Sequence, residues 1–266
     1  MELKEYRFDE VTINFDKKRV PLSGAQREKR QGNFRYYGAQ GVIDHIDDFI
    51  FDGTYLLIAE DGENLKSKKQ NIAQVVEGQF WVNNHAHIVQ GNELCNTRYL
   101  CYLLNSMDLS GYVTGSAQPK LSQANLNAVT LFLPSITVQE RIVECLYLFD
   151  KKIAVNQKIN DNLEQQARAY FQELFVDNSD SAWTLGTVSD LGAVVGGSTP
   201  SKSKPEYYTE DGIAWITPKD LSINKAKFIS HGENDITELG LKNSSASIMP
   251  EGTVLFSSRA PIGYIA

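Results

Sequence analysis

The chain of 266 residues carries 26 Lys and Arg against 33 Asp and Glu, for a net charge of −7, with 42% hydrophobic and 22% charged residues. These are the proportions of an ordinary soluble globular protein, and they argue against a uniformly basic nucleic-acid binder. The length allows one large domain or two small ones.

The chain opens Met1-Glu2-Leu3-Lys4-Glu5. It has neither the basic stub and apolar run of a secretory signal nor a stretch near the roughly 20 apolar residues of a membrane span. A cytoplasmic protein that does not enter membranes is the expectation. Cys95, Cys101 and Cys145 are odd in number and never spaced C-x-x-C. No disulfide framework or cysteine zinc site is indicated, and all three read as buried apolar residues.

The first marked feature along the chain is basic. Lys17, Lys18, Arg19, Arg27, Lys29, Arg30 and Arg35 stand against Asp16 and Glu28, a local balance of +5 in an acidic protein. The stretch runs into Phe34, Tyr36, Tyr37 and Gly38, and cations mixed with aromatics and glycine suit a loop that grips phosphates while probing a groove. The bland alternative is a solvated basic face. Lys66, Lys68 and Lys69 form a second cluster, placed in a loop after the strand-like run Thr54–Ala59, with the same two readings. Further strand-like runs cover 72–76, 80–82 and 129–132, and a helix is predicted from about Thr97 to Met107. His85 and His87 alternate as two ligands on one strand face do, yet no third ligand stands near them in sequence. A polar strand end is the simpler reading.

After Pro134, Thr137 and Glu140 have the spacing of a capping box. No Pro or Gly follows until Gly186. In between, Ile142, Leu146, Phe149, Ile153, Asn156, Asn160, Leu163, Ala167, Tyr170 and Leu174 recur in alternating steps of four and three. A helix from Val138 to about Phe175 would be on the order of 55 Å long, too long for one wall of a compact domain. It calls for a partner helix, with Asn156 and Asn160 fixing register at some cost in stability. The plainer alternative is an amphipathic helix lying on its own domain.

Asp177-Asn178-Ser179-Asp180-Ser181 reads as a polar linker, after which strand-like pieces resume at Leu185. Asp52-Gly53-Thr54-Tyr55-Leu56-Leu57 is echoed by Glu251-Gly252-Thr253-Val254-Leu255-Phe256, each read as a turn opening a buried strand. Lying on either side of the helix, the two suggest a tandem duplication. About 80 residues follow this turn in the first copy and few in the second, so a C-terminally truncated protein is expected.

Gly196-Gly197-Ser198-Thr199-Pro200-Ser201-Lys202 fails as a phosphate loop, because Ser201 stands where the pattern needs Gly and Pro200 lacks an N–H. G-x-S-x-G, H-E-x-x-H, the dinucleotide glycines and the Asn/Asp-Pro-Pro-Tyr box of amino methyltransferases do not occur. The chain is therefore expected to do no chemistry itself.

The residues now assembled resemble the specificity (S) subunit of type I restriction-modification systems, over essentially the whole chain. The sharpest stretches are Gly115-Ser116-Ala117-Gln118-Pro119-Lys120-Leu121-Ser122, leading through Leu131-Phe132-Leu133-Pro134 to Gln139-Glu140-Arg141-Ile142. In the second segment they are Gly196 to Pro200 followed by Ala214-Trp215-Ile216-Thr217-Pro218-Lys219-Asp220-Leu221.

The resemblance implies a mixed α/β (α+β) fold, with a target recognition domain over 1–135 and a long coiled-coil spacer helix over 136–176. The N-terminal, incomplete part of a second recognition domain would occupy 177–266. It also implies a non-catalytic subunit that reads a split target in double-stranded DNA. Such a subunit docks methyltransferase (M) subunits, which carry S-adenosylmethionine, and ATP-dependent restriction (R) subunits, and holds no cofactor itself. By loop position, Gln118 and Lys120 join the candidate DNA contacts. With no second spacer helix in the chain, a homodimer through the spacer is the expected arrangement. The alternative is a truncated S-like module that binds M subunits without reading DNA.

Overall fold

A computed structural model describes residues 2–68, 70–115, 118–224, 226–259 and 262–266. They form two compact units, 1–176 and 177–266.

The first unit is built on a six-stranded sheet. Its order is β2 (Thr12–Asn14), β7 (Ala86–Gly91), β5 (Phe51–Ala59), β6 (Ala73–Val82), β3 (Gln31–Gly38) and β4 (Gly41–Ile46). Only β3 and β6 pair in parallel. A two-stranded ribbon joins β1 (Lys4–Arg7) to β8 (Thr130–Leu133). Three short helices, α1 (Gly24–Glu28), α2 (Asn64–Ser67) and α4 (Gln123–Asn127), lie in the connections.

The central strand β5 is a continuous apolar run because it is covered on both faces. Alternation sends Leu56 and Ile58 into one cluster with Leu100, Leu104, Leu121 and Leu131, and Leu57 into another with Tyr37, Phe80 and Ile88. Helix α3 (Thr97–Ser106) supplies Leu100 and Leu104, and its N-cap Asn96 accepts the backbone N–H groups of Arg98 and Tyr99.

The long helix α5 spans Ile136–Phe171, 36 residues and about 54 Å. It begins two residues before the sequence signal. Ser135 is the N-cap residue and its backbone carbonyl accepts from Val138 and Gln139, so the predicted Thr137 capping box does not form. The helix then changes to a π turn over Gln172–Asp177. Leu174 lies inside that wider turn, where the steps of four and three no longer hold.

Two further expectations are corrected. The runs at 72–76 and 80–82 are one strand, β6, which continues through Gly78 at φ +81. Asp52-Gly53-Thr54 is no turn but part of β5, paired with Gln79, Gly78 and Glu77. Its echo at Glu251-Gly252 is a turn, followed by coil in which Phe256 makes a single bridge to Ile265. The sequence echo is not a structural one.

The second unit holds α6 (Val188–Leu191) and a small sheet in the order β10 (Ile213–Trp215), β11 (Asn234–Ile236) and β9 (Tyr208–Thr209). Helices α7 (Pro218–Ile223) and α8 (Glu238–Lys242) follow β10 and β11. The motif residues secure each other here. Trp215 Nε1 donates to Ser198 O at 3.1 Å and Tyr208 Oη to Pro200 O at 2.6 Å. The glycine-rich run is thus a strap over an aromatic pair, Tyr208 and Trp215, whose rings lie 5.7 Å apart. Asp220 closes a capping box at the start of α7 and also accepts Glu233 N–H at 2.9 Å. Burial pushes its carboxyl up, but these bonds outweigh burial and hold it below the usual range.

Candidate nucleic-acid interface and helix seam

The basic stretch does not form one loop, and three of its seven cations, Arg19, Arg27 and Arg30, are matched by carboxylates distant in sequence. Arg27, on α1, donates through Nε to Asp44 Oδ2 at 2.9 Å and lies over the Tyr36 ring. Arg30 pairs with Asp47 at 2.9 Å and Asp48 at 3.6 Å, over the ring of Trp81. Arg35, within β3, donates to Glu77 O at 2.6 Å. The aromatics sequence analysis assigned to the groove are core residues. Tyr36 is wholly buried and its Oη accepts Leu22 N–H at 2.9 Å. Tyr37 is 4% exposed, with Phe80 edge-on at 5.7 Å, and burial pushes its phenol pKa up. Neither ring can reach a base. Lys29 stays exposed, as do Lys17 and Lys18 on the turn after β2.

A second group of cations is drawn together by Glu60. Arg19 donates to Glu60 Oε2 at 3.1 Å and to Ala86 O at 2.7 Å, and Lys120 lies 3.2 Å from Glu60 Oε1. Beside them Lys66 Nζ, on α2, donates to Gly115 O at 2.9 Å, and Gly62 N–H to Pro119 O at 3.2 Å. Lys68 pairs with Asp108 at 2.9 Å and, as its main cause, holds that carboxyl down to about 2. Lys69 lies outside the described residues. The turn between β3 and β4 joins the cluster through Gln40 Nε2, which donates to Asn64 Oδ1 at 3.2 Å. Segments at 39–41, 60–68, 83–85, 114–115 and 118–121 thus meet at one place, where Gln40, His85, Gln118, Lys66, Lys68 and Lys120 are exposed.

Sequence reasoning found the lysines and Gln118 of this cluster and read His85 only as a polar strand end, but it missed Gln40. No local signal marks Gln40, which arrives by the pairing of β3 with β4.

His85 and His87 do not share a site. His85 Nδ1 lies 2.6 Å from Asp61 Oδ2 at the surface. His87 is 1% exposed, with Nδ1 2.7 Å from Asp16 Oδ2 and Nε2 2.8 Å from Leu121 O. Asp16 also accepts Ile88 N–H at 2.8 Å, and Arg19 lies 3.4 Å away. His87 is therefore a buried tie that fixes the loop carrying Gln118 and Lys120. Among the described residues no His, Cys, Asp and Glu group could hold a metal ion, and no helix is long and apolar enough to cross a membrane.

The second feature is the helix. Its first turns are bound to the unit: Gln139 is wholly buried, accepts Asn96 N–H at 2.9 Å, and donates to Leu94 O at 2.9 Å and Pro134 O at 3.0 Å. Farther along, Arg98 of α3 lies over the Tyr147 ring and Tyr102 Oη donates to Asp150. Beyond Asp150 every residue of α5 is exposed. Of the seam, Ile142 is half-buried, while Leu146, Phe149, Ile153, Leu163 and Tyr170 are exposed, Phe149 at 61% and Tyr170 at 63%. Asn156, Asn160 and Ala167 lie open on the same stripe. The helix does not lie along its own domain.

Comparison with known proteins bears on both features. The profile of the type I restriction modification DNA specificity domain matches residues 2–165 and again 180–266. The chain belongs to the type I restriction-modification specificity family. It is 35% identical over 138 residues to a putative type I restriction enzyme specificity subunit of Haemophilus influenzae, covering 52% of this chain and 35% of that one. It is 47% identical over 96 residues to the type I restriction enzyme MjaIX specificity subunit of Methanocaldococcus jannaschii, covering 36% of this chain and 22% of that one. The chain thus spans about a third or less of the length of these relatives. The fold matches the crystal structure of a type I restriction-modification S subunit from M. genitalium with a TM-score of 0.55 and 13% identity, over 100% of this chain and 68% of that one. The mixed α/β fold with its long helix is that of the family.

Proposed function

We propose that this chain is a non-catalytic DNA-recognition subunit of a type I restriction-modification complex. In this reading 1–135 is a target recognition domain, 136–176 the spacer, and 177–266 part of a second recognition domain. The observation that carries it is the arrangement: one specificity profile matches twice, over 2–165, which runs into the long helix, and over 180–266 beyond it, and the helix's apolar stripe is open to solvent. The chain would bind double-stranded DNA, dock methyltransferase and restriction subunits that hold S-adenosylmethionine and ATP, and work in the cytoplasm.

The loop cluster supports direct readout better than the basic stretch does. Lys66, Lys68 and Lys120, with Lys17 and Lys18, would position the phosphate backbone, while Gln40 and Gln118 present amide groups able to read base edges. Arg27, Arg30 and Arg35 instead support the scaffold. The seam supports pairing with a second copy of this chain, which would set one first domain toward each end of a helix pair and favour a palindromic split site.

The test is a salt titration of DNA binding. Removing a cation from one phosphate lowers the slope of log affinity against log salt by about 1. Lys66→Ala, Lys68→Ala and Lys120→Ala should flatten the slope, Gln118→Ala should change site preference, and Lys29→Ala should leave both alone. A wild-type chain whose binding ignores salt, with or without M subunits, would refute DNA reading.

A further inference from the structure

The asparagines in the seam specify more than a partner. Resting on the homodimer reading above, we infer that α5 pairs antiparallel with a second copy in one register, in which Asn156 of each helix faces Asn160 of the other. In an antiparallel pair each seam residue meets one counterpart, and sliding one helix by a heptad changes every counterpart together. With Asn156 opposite Asn160, Ile153 meets Leu163, Phe149 meets Ala167 and Leu146 meets Tyr170, each layer formed twice around a two-fold axis at the level of Lys158.

Three observations single out this register. First, it is the one antiparallel register that puts amide against amide, so that both side chains can exchange hydrogen bonds. A one-heptad slip either way sets Asn against Phe149 and Ile153, or against Leu163 and Ala167, stranding a polar group in an apolar layer. Second, it sets the bulky Phe149 against the smallest seam residue, Ala167, so that layer's volume balances. A parallel in-register pair would also match Asn with Asn, but would place Phe149 on Phe149 and leave Ala167 facing Ala167. Third, it accounts for an exposed apolar residue beside the stripe. Ile159, 49% exposed, meets its own copy across the two-fold axis. One like-charged pair results, Asp150 with Glu164, and each already has a partner in its own chain, Tyr102 and Arg168.

The seam is therefore complementary to itself, which is why a second copy fits it better than an unrelated helix would. Single cysteines read the register, introduced in full-length chain with the exposed Cys145 changed to Ser and joined by a short homobifunctional maleimide. Ile159→Cys should cross-link to itself and double the mass on a denaturing gel. Tyr170→Cys alone should not, because its copies would lie some 36 Å apart. Mixed with Leu146→Cys it should. Light scattering on the uncross-linked chain separates dimerisation from register. A dimer in which Tyr170→Cys links to itself would overturn the antiparallel sense, and one in which Ile159→Cys fails to link would overturn the register, each leaving the homodimer standing. A monomer at micromolar concentration would overturn the homodimer and the register with it.

Discussion

Nδ1 of His87 lies 2.7 Å from Oδ2 of Asp16, with the His ring 1% exposed and the carboxylate side chain 5% exposed. Asp16 precedes Lys17 on the turn after β2, and His87 holds Leu121, so one buried pair joins two of the segments that frame the loop cluster. Burial alone raises the Asp16 pKa, but His87, the Ile88 N–H and Arg19 outweigh it and hold the carboxyl below its ordinary 3.8.

That sign fixes a pH dependence. A depressed carboxyl contributes stability that is fully present above its unfolded value, near 3.8, and is lost as pH falls through the lower folded value. Urea unfolding should therefore show wild type losing stability below about pH 4, and Asp16→Asn losing less across the same interval. His87→Ala, leaving the carboxylate buried with one partner fewer, should cost about 3 kcal/mol at pH 7. An acid limb equally steep in Asp16→Asn would assign it to other carboxylates.

Gln139 secures the root of the long helix. Gln139→Leu keeps the bulk but leaves Asn96 N–H and two carbonyls without their partner, at a cost of about 2 kcal/mol for the first unit. Denaturant midpoints measure it. If the midpoint is unchanged, water replaces the amide and the helix root is looser than this geometry.

The cysteines separate by exposure. Burial pushes the Cys95 thiol up to about 12 and Cys101 to about 11, whereas Cys145 stands exposed on α5. A thiol reagent at mild pH should modify one cysteine quickly in the native chain and all three in urea. Mass mapping should place the fast site at Cys145, and protection of that site on raising protein concentration would show pairing reaching it.

Ile153→Asp puts a charge into the middle of the seam, 55% exposed in the lone chain. It should abolish the dimer in sedimentation while leaving the unfolding of the first unit within about 0.5 kcal/mol of wild type. A loss of domain stability instead would mean the helix leans on its own unit beyond Asp150.

The long helix was legible because its period is written in consecutive residues and no distant contact interrupts it. The strands around Leu56, Val76 and Thr130 were legible for the same reason, as was the breakdown of the phosphate-loop resemblance at Ser201. What sequence could not show was which charges meet. Arg27 and Arg30 look like a free basic stretch until β4 folds Asp44, Asp47 and Asp48 against them. Tyr36 and Tyr37 share that stretch and look presented, but an aromatic on a strand between two neighbours is a core residue whatever charges flank it. Cys145 fails the other way: an apolar position on a helix is buried only while the helix has something to lie on.

Beyond Asp150 the helix continues for about 20 exposed residues, and this sets a rule for how such a protein can change. One added residue would move everything beyond it by about 1.5 Å and swing it through about 100°, carrying the stripe off its partner. Insertions of seven or eleven residues, each within about 20° of whole turns, bring the stripe back, and a heptad lengthens the arm by about 10 Å, or some three base pairs of duplex. Among paired chains of this kind the gap between what the two ends hold can grow or shrink only in steps, and intermediate lengths would fail at the seam before any nucleic acid was met.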